Sequence, residues 1–374
     1  MFQDLKVLEL ASVLAGPSVG QFFAELGAEV IKVENKLAGG DVTRTWKGSN
    51  EKTDDRSAYF CSVNWGKKSI AVDLTSAEER SIVQQLASRC DVVIASYKPG
   101  DAEKLGVAYS QLVTINPQLI YGQITGYGSD SDRVGYDAVI QAESGFMDLN
   151  GEPEGPPTKM PVALIDVLAA HQLKEGILVA LLKRTKTGKG SLVEVSLIQS
   201  AIASLVNQAS NWLVANQLPK RQGSAHPNIA PYGELFMTQD DKQVLIAVGT
   251  DRQFKDLLEV VNLEQYCTDS RFGNNANRVK HRTLLHEILK SAIRSCHSKE
   301  FLIQLNQRKI PAGLIQNISD VFTMPQAHAL LIKNRELSGV RSFVASGLEL
   351  ANHQLLPPPH FGEHTEQILN WLRD

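Results

Sequence analysis

Short apolar runs of strand length alternate with segments of helix length in the first third of the chain, and this pattern most restricts the possible folds. The strand candidates are residues 5–10, 29–34 and 69–74, and apolar residues between positions 18 and 27 recur at helix spacing. Strands separated by helices favour a parallel sheet that is covered on both faces. We therefore predict an α/β fold whose ligands bind beyond the carboxyl ends of the strands.

The same alternation continues beyond residue 90 and then restarts. Residues 91–96, 119–125 and 192–196 are further strand candidates, and a long helix is predicted from Asp166 to about residue 184. Residues 219–231 are polar and contain proline and glycine, which is typical of a linker. A length of 374 residues suits two domains. We expect a larger domain before this linker and a smaller one after it.

Charge and hydropathy exclude several kinds of partner. The formal net charge is -3, without the basic excess that a general nucleic-acid binder needs. The longest uninterrupted apolar run, residues 177–182, is far too short to cross a bilayer. The four cysteines are scattered, which is typical of free thiols in a reducing compartment. We predict a cytoplasmic protein that binds neither nucleic acid nor membrane.

Two familiar site types are not supported. Glu34 ends the second strand, where a dinucleotide-binding protein has its ribose-binding acid, but the turn at residues 11–17 lacks the glycine pattern that pyrophosphate requires. His360 and His364 flank Glu363, but nearby proline and glycine prevent the helix of a zinc protease. The sequence therefore predicts no nicotinamide site and no metal site.

Asp166 has two possible roles. It lies within an apolar run at the start of the predicted long helix. It can act as an N-cap, or as a carboxylate that the helix terminus keeps ionised and that could serve as a nucleophile. Position alone favours the cap. Thr75 and Glu78 similarly fit a capping box at the start of an earlier helix.

Eleven segments, in order and spacing, resemble the family III CoA-transferases, which are also called the CaiB/BaiF or formyl-CoA-transferase-like family. They are residues 5–17, 26–34, 40–44, 64–74, 98–100, 104–106, 135–137, 141–145, 187–196, 310–313 and 362–365. The resemblance implies a Rossmann-like large domain of residues 1–218 and 330–374 and a smaller α/β domain of residues 219–329. It also implies that two chains interlock as rings in a homodimer.

The resemblance also implies an activity, an acyl-CoA:carboxylate CoA-transferase in which Asp166 is the nucleophile. Asp166 would attack the thioester carbonyl of an acyl-CoA, giving a mixed anhydride and then an aspartyl-CoA thioester, from which a carboxylic acid collects CoA. The substrates are then a CoA thioester and an acid. Neither a metal nor a permanently bound cofactor is implied.

The CoA-binding residues implied by the resemblance lie mainly at the ends of predicted strands and in the loops that follow them. They are Val13, Ala15, Lys36, Val72, Thr75, Ser96, Tyr97, Lys104, Tyr136 and Asp137. For each lysine the alternative is a solvated side chain, and for Thr75 it is the helix cap.

Departures from the family pattern bear on the reaction. Leu14 occupies the position of a glutamine in formyl-CoA transferases, which argues against a formyl-CoA and oxalate pair. Tyr136 replaces the histidine of the α-methylacyl-CoA racemases, and tyrosine is a poor second base near pH 7. Transfer is therefore favoured. The alternatives are a racemase or epimerase of the same family and a catalytically silent CoA-binding scaffold.

Residues 223–232 occupy the region of a glycine-rich lid in relatives, but here only Gly223 precedes Pro227 in the segment that reads GSAHPN. We expect acid specificity to come from this region and the smaller domain. Arg221 or His226 is a hypothetical partner for the second carboxylate of a dicarboxylic acid.

Overall fold

A six-stranded parallel sheet forms the centre of the fold in this computed structural model, which describes residues 2–334, 337–344 and 355–374. In chain order the elements are β1 (Lys6–Leu10), α1 (Ala15–Glu25), β2 (Glu29–Asn35), α2 (Ala58–Cys61), β3 (Lys67–Val72), α3 (Ala77–Arg89), β4 (Val92–Ala95), α4 (Asp101–Lys104), α5 (Tyr109–Ile115), β5 (Ile120–Thr125), α6 (Asp137–Glu143), α7 (Phe146–Leu149), α8 (Leu164–Thr187), β6 (Ser191–Ser196), α9 (Leu197–Ala203), α10 (Val206–Leu213), β7 (Tyr232–Met237), β8 (Gln243–Ala247), α11 (Asp251–Val260), α12 (Asn275–Lys280), α13 (Arg282–Ile293), α14 (Ser298–Gln307), β9 (Ala312–Leu314), α15 (Ile318–Val321), α16 (Pro325–His328), β10 (Leu331–Lys333), β11 (Ser338–Val340) and α17 (Thr365–Arg373).

The strand order is β3-β2-β1-β4-β5-β6, and every neighbouring pair is parallel. Val7 and Leu8 are adjacent in β1 but belong to different hydrophobic clusters, because successive side chains point to opposite faces. Helices α1, α8 and α9 contribute to the first cluster, and α3, α5 and α17 contribute to the second. Burial on both faces explains the continuous apolar runs, and the predicted α/β fold is confirmed.

The chain divides into two compact units. The first comprises Met1–Phe146, Lys159–Val206 and His328–Asp374, and the second comprises Met147–Thr158 and Asn207–Ala327. Residues 147–158 and 207–218, which the sequence prediction assigned to the large domain, group with the second unit. Residues 328–329, which it assigned to the smaller domain, group with the first unit. Residues 1, 335–336 and 345–354 of the predicted large domain lie outside the described residues.

Several local predictions were wrong by a few residues. Ser76, rather than Thr75, caps α3 by accepting a hydrogen bond from Glu79 N, and Thr75 instead donates to Asp73. Helices α6 and α7 are separated at Gly145, which has a φ of 88°. Helices α12 and α13 are separated at His281. Short-range spacing locates helices well but does not detect such single-residue breaks.

The start of α8 differs from the prediction in a way that matters for Asp166. The helix begins at Leu164, and its N-cap residue, Ala163, has no side chain that can bond to the helix amides. Asp166 is the third residue of the helix, so the N-cap interpretation was wrong. The helix ends at Thr187, three residues later than predicted, and Gly188 follows in the left-handed conformation at φ 66°.

The C-terminal tail packs along β3, the edge strand of the sheet. Ser69 N donates to His364 Nδ1 over 3.3 Å, and His364 N donates to Ser69 O over 2.9 Å. Ala71 N donates to Thr365 Oγ1 over 3.1 Å. These bonds occupy backbone groups that an edge strand would otherwise leave open. His364 therefore serves the sheet edge, in a turn just before α17.

The second unit contains an antiparallel sheet in the order β7-β8-β9. Its core includes Phe236 and Ile246 from the sheet and Leu257, Leu289 and Phe301 from α11, α13 and α14. The sequence analysis missed β7, and residues 219–231 contain no helix or strand. Within the described ranges, none of the helices is both long enough and apolar enough to cross a membrane.

Gly20 provides a test of how closely α1 packs on β1. A Cβ atom at Gly20 would lie 1.9 Å from Glu9 Oε2 and 3.2 Å from Lys67 Cε, atoms of a buried ion pair. Replacing glycine by alanine normally stabilises a helix by up to about 1 kcal/mol. Here we expect Gly20→Ala to lower the free energy of unfolding by about 2 kcal/mol or more, measured by chemical denaturation.

The matched control is Gly48→Ala, because no heavy atom lies within 4 Å of an added Cβ at that position. We expect it to change the free energy of unfolding by less than about 0.5 kcal/mol. A Gly20→Ala protein as stable as the wild type would show that α1 does not approach Glu9 this closely.

Candidate active site

Two adjacent cavities of the first unit lie at the carboxyl ends of the sheet strands. The first, which we call the strand-end cavity, has a volume of about 350 Å³ and is lined by Val72 and Thr75. The second, the Asp166 cavity, has a volume of about 230 Å³. Ser12, Ser96 and Tyr97 line both cavities, so an extended ligand could pass from one to the other along these residues.

Asp166 is nearly buried and lacks direct support for its charge. Asp166 is only 8% exposed. Within the described part of the chain, no residue donates a hydrogen bond to its carboxylate. Burial raises the pKa of Asp166 to about 7, and the negative charge of Asp137 raises it further. The environment of Asp166 therefore disfavours its anion near neutral pH. The helix terminus, which was expected to favour the ionised form, therefore does not hold the pKa of Asp166 low.

Asp137 uses its carboxylate to hold the start of α8. Its Oδ1 atom accepts a hydrogen bond from Ile165 N over 2.8 Å, and its Oδ2 atom accepts one from Gln141 Nε2 over 2.7 Å. Gln141 Oε1 in turn accepts a hydrogen bond from Met160 N over 2.9 Å. Asp137 thus fixes the helix turn that carries Asp166, and its own oxygens are already bonded.

Two tyrosines lie near Asp166. Tyr136 lines the Asp166 cavity and is exposed. Burial raises the pKa of Tyr59, and the charges of Asp166, Asp137 and Asp41 raise it further, so Tyr59 is within electrostatic range of the site. Sequence analysis missed Tyr59 because it lies in the short helix α2, where neither periodicity nor a motif indicated a site.

Most of the predicted CoA-binding residues line the two cavities. Val13, Ala15, Tyr136 and Asp137 line the Asp166 cavity, Val72 and Thr75 line the strand-end cavity, and Ser96 and Tyr97 line both. Burial raises the pKa of Tyr97 to about 12, so its hydroxyl group stays neutral.

The two predicted lysines line neither cavity. Lys36 is exposed and pairs with Glu79 over 2.8 Å, and Lys104 is exposed and pairs with Asp101 over 3.1 Å. The cations that do line the Asp166 cavity are Lys98 and Arg133. Lys98 belonged to a recognised motif, but neither residue was identified as a candidate from the sequence.

A buried ionic cluster lies beneath the loop between β1 and α1, and it consists of Glu9, Lys32, Glu34, Asp41, Arg44 and Lys67. Lys32 Nζ lies 3.0 Å from Glu9 Oε1 and 2.9 Å from Asp41 Oδ2, and it donates to Ala11 O over 2.7 Å. Burial alone would lower the pKa of Lys32, but Glu9, Asp41 and Glu34 raise it above its usual value. Lys32 is therefore charged.

Glu34 is fully engaged within this cluster. Its carboxylate accepts two hydrogen bonds from Arg44, over 2.8 and 2.6 Å, and one from Ser69 Oγ over 2.6 Å. It also accepts one from Asp41 N over 2.9 Å. It has no oxygen free for a ribose, so the resemblance to a dinucleotide-binding acid is only positional.

The sequence model of the family described as CoA-transferase family III matches residues 2–365. The chain belongs to the family III CoA-transferases. It is 36% identical over 379 residues to a succinate–glutarate CoA-transferase from Agrobacterium fabrum, covering 98% of this chain and 94% of the relative. It is 35% identical over 376 residues to the human succinyl-CoA:glutarate CoA-transferase, covering 98% of this chain and 85% of the relative.

A solved structure gives the same result. The crystal structure of a CaiB/BaiF family protein from Brucella suis superimposes with a TM-score of 0.85 at 38% sequence identity, covering 98% of both chains. The predicted family, the enzyme class and the activity class of an acyl-CoA:carboxylate CoA-transferase are confirmed. CoA thioesters are thus substrates of this transferase.

The raised pKa of Asp166 predicts a pH-dependent stability. Between its ordinary value of 3.8 and about 7, the unfolded state ionises while the folded state resists ionisation. Stability is therefore lost as the pH rises through this window, by up to about 4 kcal/mol. We expect Asp166→Asn to stabilise the folded protein more at pH 8 than at pH 4.5, measured by denaturation at both values.

Asp130→Asn is the control for this comparison because Asp130 is exposed, and its effect should not change between the two pH values. An Asp166→Asn effect that is equal at pH 4.5 and pH 8 would contradict the buried, unsupported carboxylate.

Proposed function

We propose that this transferase moves CoA through covalent intermediates on Asp166. An Asp166 oxygen attacks the thioester carbonyl, the carbon–sulfur bond breaks, and the CoA thiolate leaves with the bonding electrons. The thiolate then attacks the aspartyl carbonyl of the mixed anhydride, which releases the donor acid as a carboxylate. The acceptor carboxylate repeats these two steps in reverse order, giving the new acyl-CoA and regenerating Asp166.

The observation that carries this proposal is the location of Asp166 in a cavity that shares its lining with the strand-end cavity. Asp137 is a less suitable nucleophile because Ile165 N and Gln141 Nε2 already bond its oxygens. Burial around Asp166 also limits access of water, which would hydrolyse an anhydride.

We place the nucleotide end of CoA in the strand-end cavity and its thioester end in the Asp166 cavity. The shared residues Ser12, Ser96 and Tyr97 then line the path between them. Lys98 and Arg133 are the cations that line the Asp166 cavity, and Arg133 pairs with Glu143 over 2.6 Å. Lys36 and Lys104 could reach a phosphate only by exchanging their present carboxylate partners for it, which costs little for exposed pairs.

The acids we propose are short dicarboxylates, with succinyl-CoA as donor. The support is the substrates named for the Agrobacterium and human relatives. The apolar Leu14 in the lining of the Asp166 cavity argues against a formyl-CoA and oxalate pair. Arg221 Nη1 donates to Asp148 O over 3.1 Å within the second unit. The assignment of Arg221 or His226 to the second carboxylate stays a hypothesis.

We further propose that the enzyme is a homodimer of interlocked chains, built from a large Rossmann-like and a smaller α/β domain. Val179 and Leu182 on α8 are exposed apolar side chains that support contact with a second chain. Trp212 and Leu213 on α10 are likewise exposed and give separate support. The cytoplasmic location stays a prediction.

The central test is transfer followed by mass spectrometry. Incubation of the enzyme with succinyl-CoA and glutarate should produce a new acyl-CoA, and Asp166→Asn should lower kcat on the order of 10³-fold or more. Hydroxylamine should convert Asp166 of the wild type into a hydroxamate only when acyl-CoA is present. Because the anionic form attacks, kcat/KM should rise with pH up to about 7.

Asp130→Asn is the matched carboxylate control, because Asp130 is exposed and lines neither cavity, and it should retain hydroxamate formation on Asp166. Exchange of the α-proton of an acyl-CoA in deuterium oxide without transfer would instead indicate the racemase alternative. Tight CoA binding with neither reaction would indicate the silent scaffold.

A panel of acids tests the substrate class. Four- and five-carbon dicarboxylates should give higher kcat/KM than monocarboxylates of the same length. If Arg221 binds the second carboxylate, Arg221→Ala should lower kcat/KM for dicarboxylates at least about tenfold and leave monocarboxylates unchanged. Lys220→Ala, at the exposed neighbouring cation, is the control. Equal use of both acid types would contradict the proposed class.

A further inference from the structure

The loop between β1 and α1 contains a residue in an unfavourable backbone conformation. Val13 has a φ of 73°, in the left-handed region that β-branched residues avoid. Such a conformation persists only where neighbouring groups hold it. The loop is also tightly closed, because a Cβ at Gly16 would lie 2.3 Å from Ala11 Cβ.

Asp41 is the group that holds Val13. Both of its carboxylate oxygens lie within hydrogen-bond distance of Val13 N, at 3.3 and 3.2 Å. The interaction crosses 28 residues of sequence and joins the loop to the segment after β2. Asp41 therefore fixes the direction of the Val13 amide.

Asp41 is itself fixed from several directions. Its carboxylate lies 2.9 Å from Lys32 Nζ and accepts hydrogen bonds from Thr43 N over 3.0 Å and Thr43 Oγ1 over 2.8 Å. Its own N–H donates to Glu34 Oε2 over 2.9 Å. With its side chain fully shielded from solvent, Asp41 transmits the geometry of the buried ionic cluster to Val13.

The loop that Asp41 holds, residues 12–16, lies at the cavity that contains Asp166. Val13, Leu14, Ala15 and Gly16 all line the Asp166 cavity, and Ser12 lines both cavities. Rotation of the backbone at Val13 would displace these residues relative to Asp166. A displacement of about 1 Å near reacting groups can lower a rate 10²-fold.

We propose that Asp41 is a positioning residue, which holds Val13 in its left-handed conformation so that residues 12–16 orient the thioester against Asp166. This inference rests on the proposed transfer through Asp166. Asp41 also lines the strand-end cavity, but its carboxylate is already bonded to Lys32, Thr43 and Val13. CoA affinity depends on the wider lining of both cavities, so the loss of Asp41 should act on kcat more than on binding.

The test compares Asp41→Asn with the wild type by three measurements at a temperature where both are folded. We expect kcat for succinyl-CoA and glutarate to fall at least about tenfold. We expect the Kd of free CoA, measured by calorimetry, to change less than about threefold. Amide exchange at Val13, followed by mass spectrometry with residue-level fragmentation, should accelerate because a side-chain amide offers Val13 N one uncharged acceptor oxygen in place of the two carboxylate oxygens.

The decisive variant is Val13→Gly in the Asp41→Asn background. Glycine takes a positive φ without a holding group, so the double variant should regain kcat to within about threefold of Val13→Gly alone. Asp54→Asn is the control, since Asp54 pairs with Arg56 and does not contact Val13, and it should change none of the three measurements.

Unchanged kcat and unchanged Val13 exchange in Asp41→Asn would overturn the proposal, as would a lowered kcat that Val13→Gly does not restore. If Asp41→Asn does not fold, Thr43→Val removes one donor to Asp41 while conserving volume. Faster Val13 exchange with lower kcat in that variant supports the proposal, and unchanged exchange overturns it. If the wild type transfers no CoA, the proposed function is wrong. The rate of amide exchange at Val13 in Asp41→Asn then still tests whether Asp41 holds Val13.

Discussion

The interaction on which this structure depends is the pairing of Lys32 with two carboxylates in a place that excludes water. Lys32 lies on β2 between Glu9 on β1 and Asp41 in the following segment, with Ala11 O as a further acceptor. Removing one partner of such a group leaves an uncompensated buried charge. This destabilises the fold far more than replacing the whole ion pair by apolar side chains of similar volume. The cluster therefore fixes the ends of neighbouring strands relative to the loop that faces Asp166. Glu34 links this cluster to β3, because it accepts a hydrogen bond from Ser69 Oγ. Ser69 Oγ in turn accepts one from Gly362 N of the C-terminal tail.

The properties of Asp166 follow from its burial and from the lack of hydrogen-bond donors to its carboxylate among the described residues. Asp137 uses its own carboxylate to anchor the start of α8, so Asp166 is held in place by the helix without receiving a hydrogen bond from the described residues. Burial disfavours its anion and thus raises its pKa to about 7. The anhydride and thioester that we propose on this side chain are uncharged and do not suffer that penalty. The same environment can therefore keep an ionised fraction reactive at neutral pH and shield the intermediates from water.

Local patterns in the sequence were sufficient for the sheet and for most helices, because strand and helix periods are properties of neighbouring residues. The start of α8 was misplaced because Ala163 offers no capping side chain to signal it. Contacts between different segments, such as Lys32 with Asp41 or Ser69 with His364, do not produce a periodic pattern in the sequence. The sequence therefore could not show which residues pair. Eight of the ten CoA-binding residues implied by the family resemblance line the two cavities. Glu34, which was considered because it ends a strand, pairs with Arg44 instead. Tyr59 and Arg133 had neither kind of signal.

The most direct test of the central claim is a crystal structure of the wild-type enzyme with free CoA bound, since free CoA offers no acyl group to transfer. We expect the nucleotide in the strand-end cavity beside Thr75 and the thiol within about 4 Å of the Asp166 carboxylate, close to reacting distance. Val13 should keep its positive φ and its bond to Asp41. A CoA molecule bound with its thiol far from Asp166, or a Val13 that has left Asp41 in the complex, would contradict the proposed arrangement of the site.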